Sequence, residues 1–138
     1  MINLFRKQKK EPENLKEILA QFKGLEEDFG RISQELESLK KENKFSLQKI
    51  GIVRFNPFRE VGGDQSFSIA ILDANDSGVV ITSLYTREES RIYGKPVKAG
   101  RSEYSLSGEE RKAIEIAQKQ HEKNNSKIER NKDKQSGR

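Results

Sequence analysis

The sequence predicts an α+β fold: a long N-terminal coiled-coil helix, a small antiparallel β-meander of four to five strands, a short C-terminal helix and a disordered basic tail. Three observations predict it. Apolar residues recur with a heptad period up to residue 44, the period changes to two between residues 50 and 97, and a second helical pattern follows residue 107. With 36% charged and 32% hydrophobic residues, part of the chain must lie outside a packed core.

Composition excludes several classes of protein. The chain has no cysteine, which excludes disulfides, thiol nucleophiles and cysteine-ligated zinc. No apolar run approaches the ~20 residues that span a bilayer, and the first residues lack the apolar segment of a signal peptide. A cytoplasmic location is therefore expected. The net charge of +5 is concentrated at the two ends, which would attract polyanions weakly and without specificity.

Residues 1–12 are predicted to be a disordered basic tail. Residues 1–10 carry four basic and no acidic side chains. Together with Ile2, Leu4 and Phe5 they could touch an anionic membrane surface, although a frayed chain start is the simpler interpretation.

Residues 13–44 are predicted to form one coiled-coil helix. Asn14, with Glu17 three residues later, resembles a helix cap. Apolar residues alternate at spacings of three and four, which is the heptad pattern of a coiled coil. The predicted oligomer interface consists of heptad positions a and d: Leu15, Ile18, Phe22, Leu25, Phe29, Ile32, Leu36, Leu39 and Asn43.

A second copy of this helix is the predicted partner. A helix of about 32 residues is ~48 Å long, whereas strands of about seven residues span only ~23 Å. If the helix packed on its own sheet, which is the alternative, about half of the apolar stripe would overhang. Asn43 at position a and a Glu35–Lys40 pair favour a parallel homodimer, but Phe22 and Phe29 are bulky for two strands, so a higher oligomer stays open.

Residues 45–123 are predicted to form an antiparallel β domain that ends in a helix. The strands are expected over 50–55, 66–71, 79–85 and 92–97, and residues 103–106 are a candidate fifth strand. Asn75–Gly78 is expected to be a hairpin turn, and the short connections allow only a meander. Ser107 and Glu110 form a capping box for the last helix, which offers the sheet a narrow apolar face. Residues 124–138 have almost no apolar side chains and are predicted to be a disordered tail.

The candidate partner surface surrounds the fourth strand. Arg91, Tyr93 and Lys95 should project on one face while Ile92 packs inward, and such groups can bind a phosphate or an acidic peptide. The alternative is internal pairing, in which Glu88 and Glu89 neutralise the arginines. The predicted surface comprises Arg54, Asp64, Arg87, Glu89, Ser90, Arg91, Tyr93 and Lys95.

No residue is assigned a catalytic role. Asp73–Gly78 opens like a calcium loop, but Leu84 stands where a bidentate glutamate is required. His121, near the end of the last helix, is interpreted as a helix-end residue rather than a catalytic base. The chain has no glycine-rich phosphate-binding motif, and neither a cofactor nor a metal site is predicted. Asp64, Glu89 and Lys95 could still assemble as in some metal-dependent nucleases, which is the third-ranked interpretation.

Four segments resemble a bacterial family, the domain-of-unknown-function family four-four-four-six: GIVRFNPF, VGGDQSFSIAILD, SGVVITS and REESRIYGKPVK. With the preceding heptads, the likeness covers about residues 15–117. The family pattern is matched by Arg54, Phe58, Val61, Gly62, Asp64, Ser66, Phe67, Gly78, Arg87, Glu89, Ser90, Arg91, Tyr93, Lys95 and Pro96. The resemblance implies a coiled coil followed by a sheet domain and implies no activity. Its members typically begin with a membrane helix, which has no counterpart in this sequence.

The first functional hypothesis is a non-enzymatic homo-oligomer whose β domain binds a protein or an anionic ligand. The second is a nucleic-acid-binding protein that uses the basic and aromatic residues of the sheet. The third is a metal- or phosphate-dependent enzyme.

Overall fold

The computed structural model describes residues 14–57 and 65–136. Its elements are α1 (Leu15–Asn43), β1 (Lys49–Phe55), β2 (Ser66–Leu72), β3 (Gly78–Tyr85), β4 (Ser90–Val97) and α2 (Gly108–Ser136). The chain divides into two compact units, residues 1–41 and residues 42–138. The α+β prediction is confirmed. The predicted tail over residues 1–12 and the loop that contains Asp64 lie outside the described residues.

The described part of the first unit belongs to the helix α1. The side chain of Asn14 accepts a hydrogen bond from the backbone N–H of Glu17 at 3.0 Å, which is the predicted cap. None of the residues of α1 is buried. The apolar side chains at its a and d positions have exposed fractions from 44% at Ile32 to 74% at Phe29. The helix is thus confirmed, while its pairing as a coiled coil stays a prediction.

The second unit contains a four-stranded antiparallel meander in the order β1-β2-β3-β4, with β4 at an edge as predicted. The predicted hairpin turn joins β2 to β3, where Asp73 N–H donates to the carbonyl of Ser77 at 2.8 Å. The carboxylate of Asp73 accepts hydrogen bonds from the N–H groups of Asn75 and Ser77 at 2.8 and 2.9 Å. This carboxylate therefore stabilises the turn.

The helix α2 covers one face of the sheet. Its predicted apolar face is confirmed, because Ala113, Ile114 and Ala117 are buried. The core beneath the helix consists of these three residues with Ala70, Leu72, Val80 and Val97. The predicted capping box is also present: Glu110 N–H donates to Ser107 Oγ at 3.1 Å, and Ser107 N–H donates to Glu110 Oε2 at 2.8 Å.

The predicted fifth strand is wrong. Residues 103–106 lie outside every strand. Two of their carbonyls accept side-chain hydrogen bonds in place of a strand ladder, Ser105 from Lys95 Nζ at 2.8 Å and Leu106 from Arg111 Nη2 at 3.0 Å. These hydrogen bonds therefore hold the segment as the connection that leads into α2.

The last helix is not short, and the prediction of a disordered tail is wrong over residues 124–136. The helix α2 has 29 residues and continues to Ser136. Apart from Ile128, which is exposed, this part has no large apolar residue to pack against the sheet, but its lysine, glutamate, arginine and glutamine residues have a high helix propensity. Residues 122–132 are accordingly exposed. Across the described parts of the chain, no helix is both long and apolar enough to cross a membrane.

Candidate functional site

The side chains of β4 alternate between the two faces of the sheet. Arg91, Tyr93 and Lys95 share one face, as predicted, because they pair in register with Leu84, Thr82 and Val80 on the side of the sheet that α2 covers. The expectation that Ile92 packs inward is wrong. Ile92 pairs with Ser83 on the opposite face, and 73% of its surface is exposed.

Both cations of this strand already have carboxylate partners. Arg91 Nη2 lies 2.6 Å from Glu89 Oε1, and Lys95 Nζ lies 2.7 Å from Glu110 Oε2. The hydrogen bonds with Glu89 and with Tyr93 raise the pKa of Arg91. The exposed Arg91–Glu89 pair contributes little to stability, but it reduces the positive charge that these residues present to an anion.

The remaining described residues of the predicted surface lie at different places on the sheet. Arg54 is on β1 and pairs in register with Phe67, on the face opposite Lys95. Arg87 and Ser90 are exposed at the β3–β4 connection and at the start of β4. Asp64 lies outside the described residues. The described members therefore occupy two faces and one end of the sheet rather than a pocket.

A buried polar cluster joins three strands to α2. Its members are Ser68, Thr82, Lys95 and Glu110. Ser68 Oγ lies 2.8 Å from Thr82 Oγ1, which donates to Glu110 Oε1 at 2.9 Å. Burial by itself would raise the pKa of Glu110, but the hydrogen bond from Lys95, those from Ser107 N–H and Thr82, and the charge of Lys95 outweigh it and lower the pKa.

Sequence reasoning identified Glu110 only as a cap and missed this cluster. Its signal in the sequence is faint: two small polar residues at inward positions of neighbouring strands, and a glutamate in the first turn of a helix. The cluster links the strands to α2, and its hydrogen bonds are made within the protein, since no buried side-chain N or O atom of the described residues lacks a hydrogen bond.

A second polar group lies where α2 crosses the start of β1. Lys49 Nζ, which is buried, contacts Asp76 Oδ1 at 2.6 Å, and Gln118 Nε2 donates to Asp76 Oδ2 at 2.9 Å. Burial would raise the pKa of Asp76, but the hydrogen bonds from Lys49 and Gln118 and the charges of Lys49 and His121 lower it. The adjoining pocket of about 320 Å³ is lined by side chains of both signs, which is typical of a solvated crevice.

Within the described residues, no three histidine, aspartate or glutamate side chains lie close enough to hold a metal ion. His121 bonds to Gln48 and Asn125, each at 3.1 Å.

Among the described residues, two apolar surfaces are exposed or half-buried. The first, which we call the seam, comprises Leu15, Ile18, Phe22, Leu25, Phe29, Ile32, Leu36 and Leu39 of α1. The second, which we call the open face, is the side of the sheet opposite α2 and comprises Ile50, Ile52, Phe67, Ile69, Ile71, Val79, Ile81 and Ile92. Apolar surfaces of this extent usually mark sites of protein association.

A family model described as "Protein of unknown function (DUF4446)" matches residues 2–118. The chain belongs to this family. The match contains the seam, all four strands and the part of α2 that packs on the sheet, so the DUF4446 resemblance seen in the sequence is confirmed. No curated protein and no solved structure shows significant similarity to the chain.

Proposed function

We propose that this DUF4446 protein is a non-enzymatic, parallel coiled-coil homodimer whose β domain is a binding module for another protein or an anionic ligand. The observation that carries the proposal is the exposed seam. A 29-residue helix with eight large apolar side chains on one stripe has no buried residue of its own. Helices in proteins owe most of their stability to the packing of such a stripe.

The free energy gained by burying the seam favours a partner for it. Covering a large apolar side chain contributes ~1.5–3 kcal/mol. Since roughly half of each seam residue is exposed, covering all eight contributes about 6 kcal/mol per helix on the lower figure. That is comparable with the ~5–15 kcal/mol by which a whole domain is stable.

A second copy fits the seam better than a different partner does. The apolar residues hold a strict heptad register across four repeats, which a like helix matches with side chains from the same positions. Asn43 at position a favours two parallel strands, where the two amides can pair. Glu35 at g and Lys40 at e would attract each other between parallel copies.

The mass of the protein in solution tests the dimer. Light scattering at tens of micromolar should give twice the chain mass of 15.9 kDa. The double variant Leu25→Asp with Ile32→Asp removes four apolar side chains from the dimer. At half of ~1.5 kcal/mol each, the lost burial alone should weaken association by ~10²-fold. The four carboxylates that it places in the interface weaken association further, so the variant should be a monomer.

The matched control is Gln34→Asp with Ser38→Asp. It adds the same charge to the same helix at the outward positions f and c, and it should leave the dimer intact. A wild-type monomer, or a control that dissociates as readily as the seam variant, would refute the coiled coil.

The β4 side of the sheet is the proposed binding surface for the further partner. Arg87, Ser90, Arg91 and Tyr93 are exposed there, and an acidic ligand could take the place of Glu89 at Arg91. Nucleic acid is the weaker candidate, because Lys95, on which that interpretation relies, bonds to Glu110. Titrating the protein with a fluorescent oligonucleotide and with an acidic peptide distinguishes the two, and the Arg91→Ala variant should weaken whichever binding occurs there.

A further inference from the structure

The open face is apolar across all four strands. One cross-strand row contains Ile50, Ile71 and Val79, and the next contains Ile52, Ile69 and Ile81. Ile50 and Ile52 on β1 are 54% and 52% exposed. An antiparallel sheet with one solvated face normally has polar residues on that face. Here the face opposite α2 is the more apolar of the two, so it has the composition of a buried layer.

The charge of the open face fits a neutral partner. Among the described strand positions on this side, Arg54 at one corner is the single charged residue. A copy of the same surface is therefore compatible with it, because only one cation per copy would need to remain at the rim. A strongly acidic or basic partner would find almost nothing to pair with.

We propose that the open face is covered by the open face of a second copy of this chain, so that the two sheets stack as the layers of a β-sandwich. This inference rests on the coiled-coil dimer proposed above. Sheets rich in β-branched residues pack in this way about 10 Å apart in natural sandwiches.

The area of the open face is too small to form a stable interface without the coiled coil. Four strands ~4.8 Å apart and about seven residues long at ~3.3 Å each give a surface of about 19 by 23 Å, or ~440 Å² per copy. Two copies would bury about 900 Å², less than the ~1,200–2,000 Å² of a stable interface. The open face alone would therefore associate only weakly.

The connection between the two units supplies the missing affinity. Only residues 44–48 separate α1 from β1, a span of at most ~18 Å when fully extended. A parallel coiled coil would thus hold two β domains at the same end on short tethers. Short tethers give effective concentrations in the millimolar range, which is sufficient for a small apolar interface.

A single introduced thiol tests the pairing, because the chain has no cysteine of its own. Ile81→Cys places the thiol at the centre of the open face, and Lys112→Cys places a control thiol on the exposed side of α2. In the dimer, Ile81→Cys should react with a maleimide at least about tenfold more slowly than Lys112→Cys, since ~1.4 kcal/mol of pairing gives tenfold protection. Because Ile81 is half-buried within its own chain and Lys112 is exposed, the Leu25→Asp and Ile32→Asp changes should raise the rate of Ile81→Cys at least about tenfold and leave that of Lys112→Cys unchanged.

The outcomes separate this inference from the coiled coil. A dimer in which the Ile81→Cys thiol reacts as fast as the control would overturn the sheet pairing and leave the coiled coil intact. A monomeric wild-type protein would overturn both the coiled coil and the sheet pairing. If the Ile81→Cys thiol were protected in that monomer, a segment of the same chain would cover the open face. Ile52→Cys on β1 is a second reporter, and its reaction rate must change in the same way as that of Ile81→Cys. Circular dichroism of each variant verifies that the β-sheet is still folded.

Discussion

Gly51 sets the distance between β1 and α2. A Cβ atom at this position would lie 2.0 Å from the carbonyl oxygen of Ala113 and 2.5 Å from the backbone nitrogen of Ala117. Both are backbone atoms that no side-chain rotation can move, and Ala113 and Ala117 are themselves small enough to allow the approach. The glycine is therefore a packing requirement of the core.

Gly51→Ala should lower the free energy of unfolding by about 2 kcal/mol, the usual cost of overpacking a core. Gly108→Ala is the control, since Gly108 lies at the start of α2, outside the open face, and nothing lies within 4 Å of a Cβ built there. The control should be neutral or slightly stabilising. Urea unfolding measures both, and an unchanged midpoint for Gly51→Ala would contradict the close helix–sheet contact.

Glu110 makes stability depend on pH. Its pKa is lowered in the folded protein, so the folded state holds fewer protons than the unfolded state as the pH falls from the ordinary glutamate value of about 4.3. The contribution of Glu110 is therefore complete above that value. It is lost as the pH falls through the lower pKa of the folded state.

Glu110→Gln should cost about 2 kcal/mol at pH 7, because it weakens hydrogen bonds to a charged, buried group. The deficit relative to wild type should shrink below the ordinary glutamate range, where the wild-type carboxylate is also neutralised. Glu109→Gln removes the same charge from the same helix turn and should cost less than ~0.5 kcal/mol. If urea midpoints at pH 7 and pH 3 gave the same deficit for Glu110→Gln, the charged Lys95–Glu110 pair would not be its cause.

At the scale of the element, α2 consists of two parts with different roles. Residues up to about His121 face the sheet or its edge, whereas residues 122–132 are exposed on all sides. The first part is held by packing and the second by helix propensity. The second part should therefore be dispensable for the fold of the β domain.

A chain that ends at Lys123 should retain its unfolding free energy to within ~0.5 kcal/mol, as for surface changes remote from the core. It should lose helical ellipticity in proportion to the residues removed. Ala117→Asp, which places a charge in the core without shortening the helix, should instead unfold the domain. A large loss of stability on truncation would show that the polar end of α2 packs on something.

For the whole molecule, the two uncovered apolar surfaces belong to different units and would reinforce each other in a dimer. The seam would supply most of the affinity. The open face, too small to associate alone, would then orient the two β domains and leave the β4 edges available to a further partner. The five-residue connection between the helix and the sheet is short enough for the seam to supply the affinity while the open face orients the β domains.

Local patterns determined most of the fold. The heptad period, the Asn14 cap, the Ser107–Glu110 capping box and the hairpin turn each depend on residues near one another in the chain, so the sequence was enough to predict them. The same patterns failed for residues 103–106 and 124–136. In the first, tertiary hydrogen bonds replace a strand ladder, and in the second, a helix forms without a buried apolar face.

Only the tertiary structure decided which face of the sheet is covered. Alternation shows that Phe67, Ile69 and Ile71 share one face and that Ser66, Ser68 and Ala70 share the other, and hydrophobicity alone would bury the first set. The helix lies on the second set because Gly51 and these small side chains let its backbone approach closely. Steric fit between distant segments therefore left the larger residues uncovered, and it also brought Glu110 to Lys95.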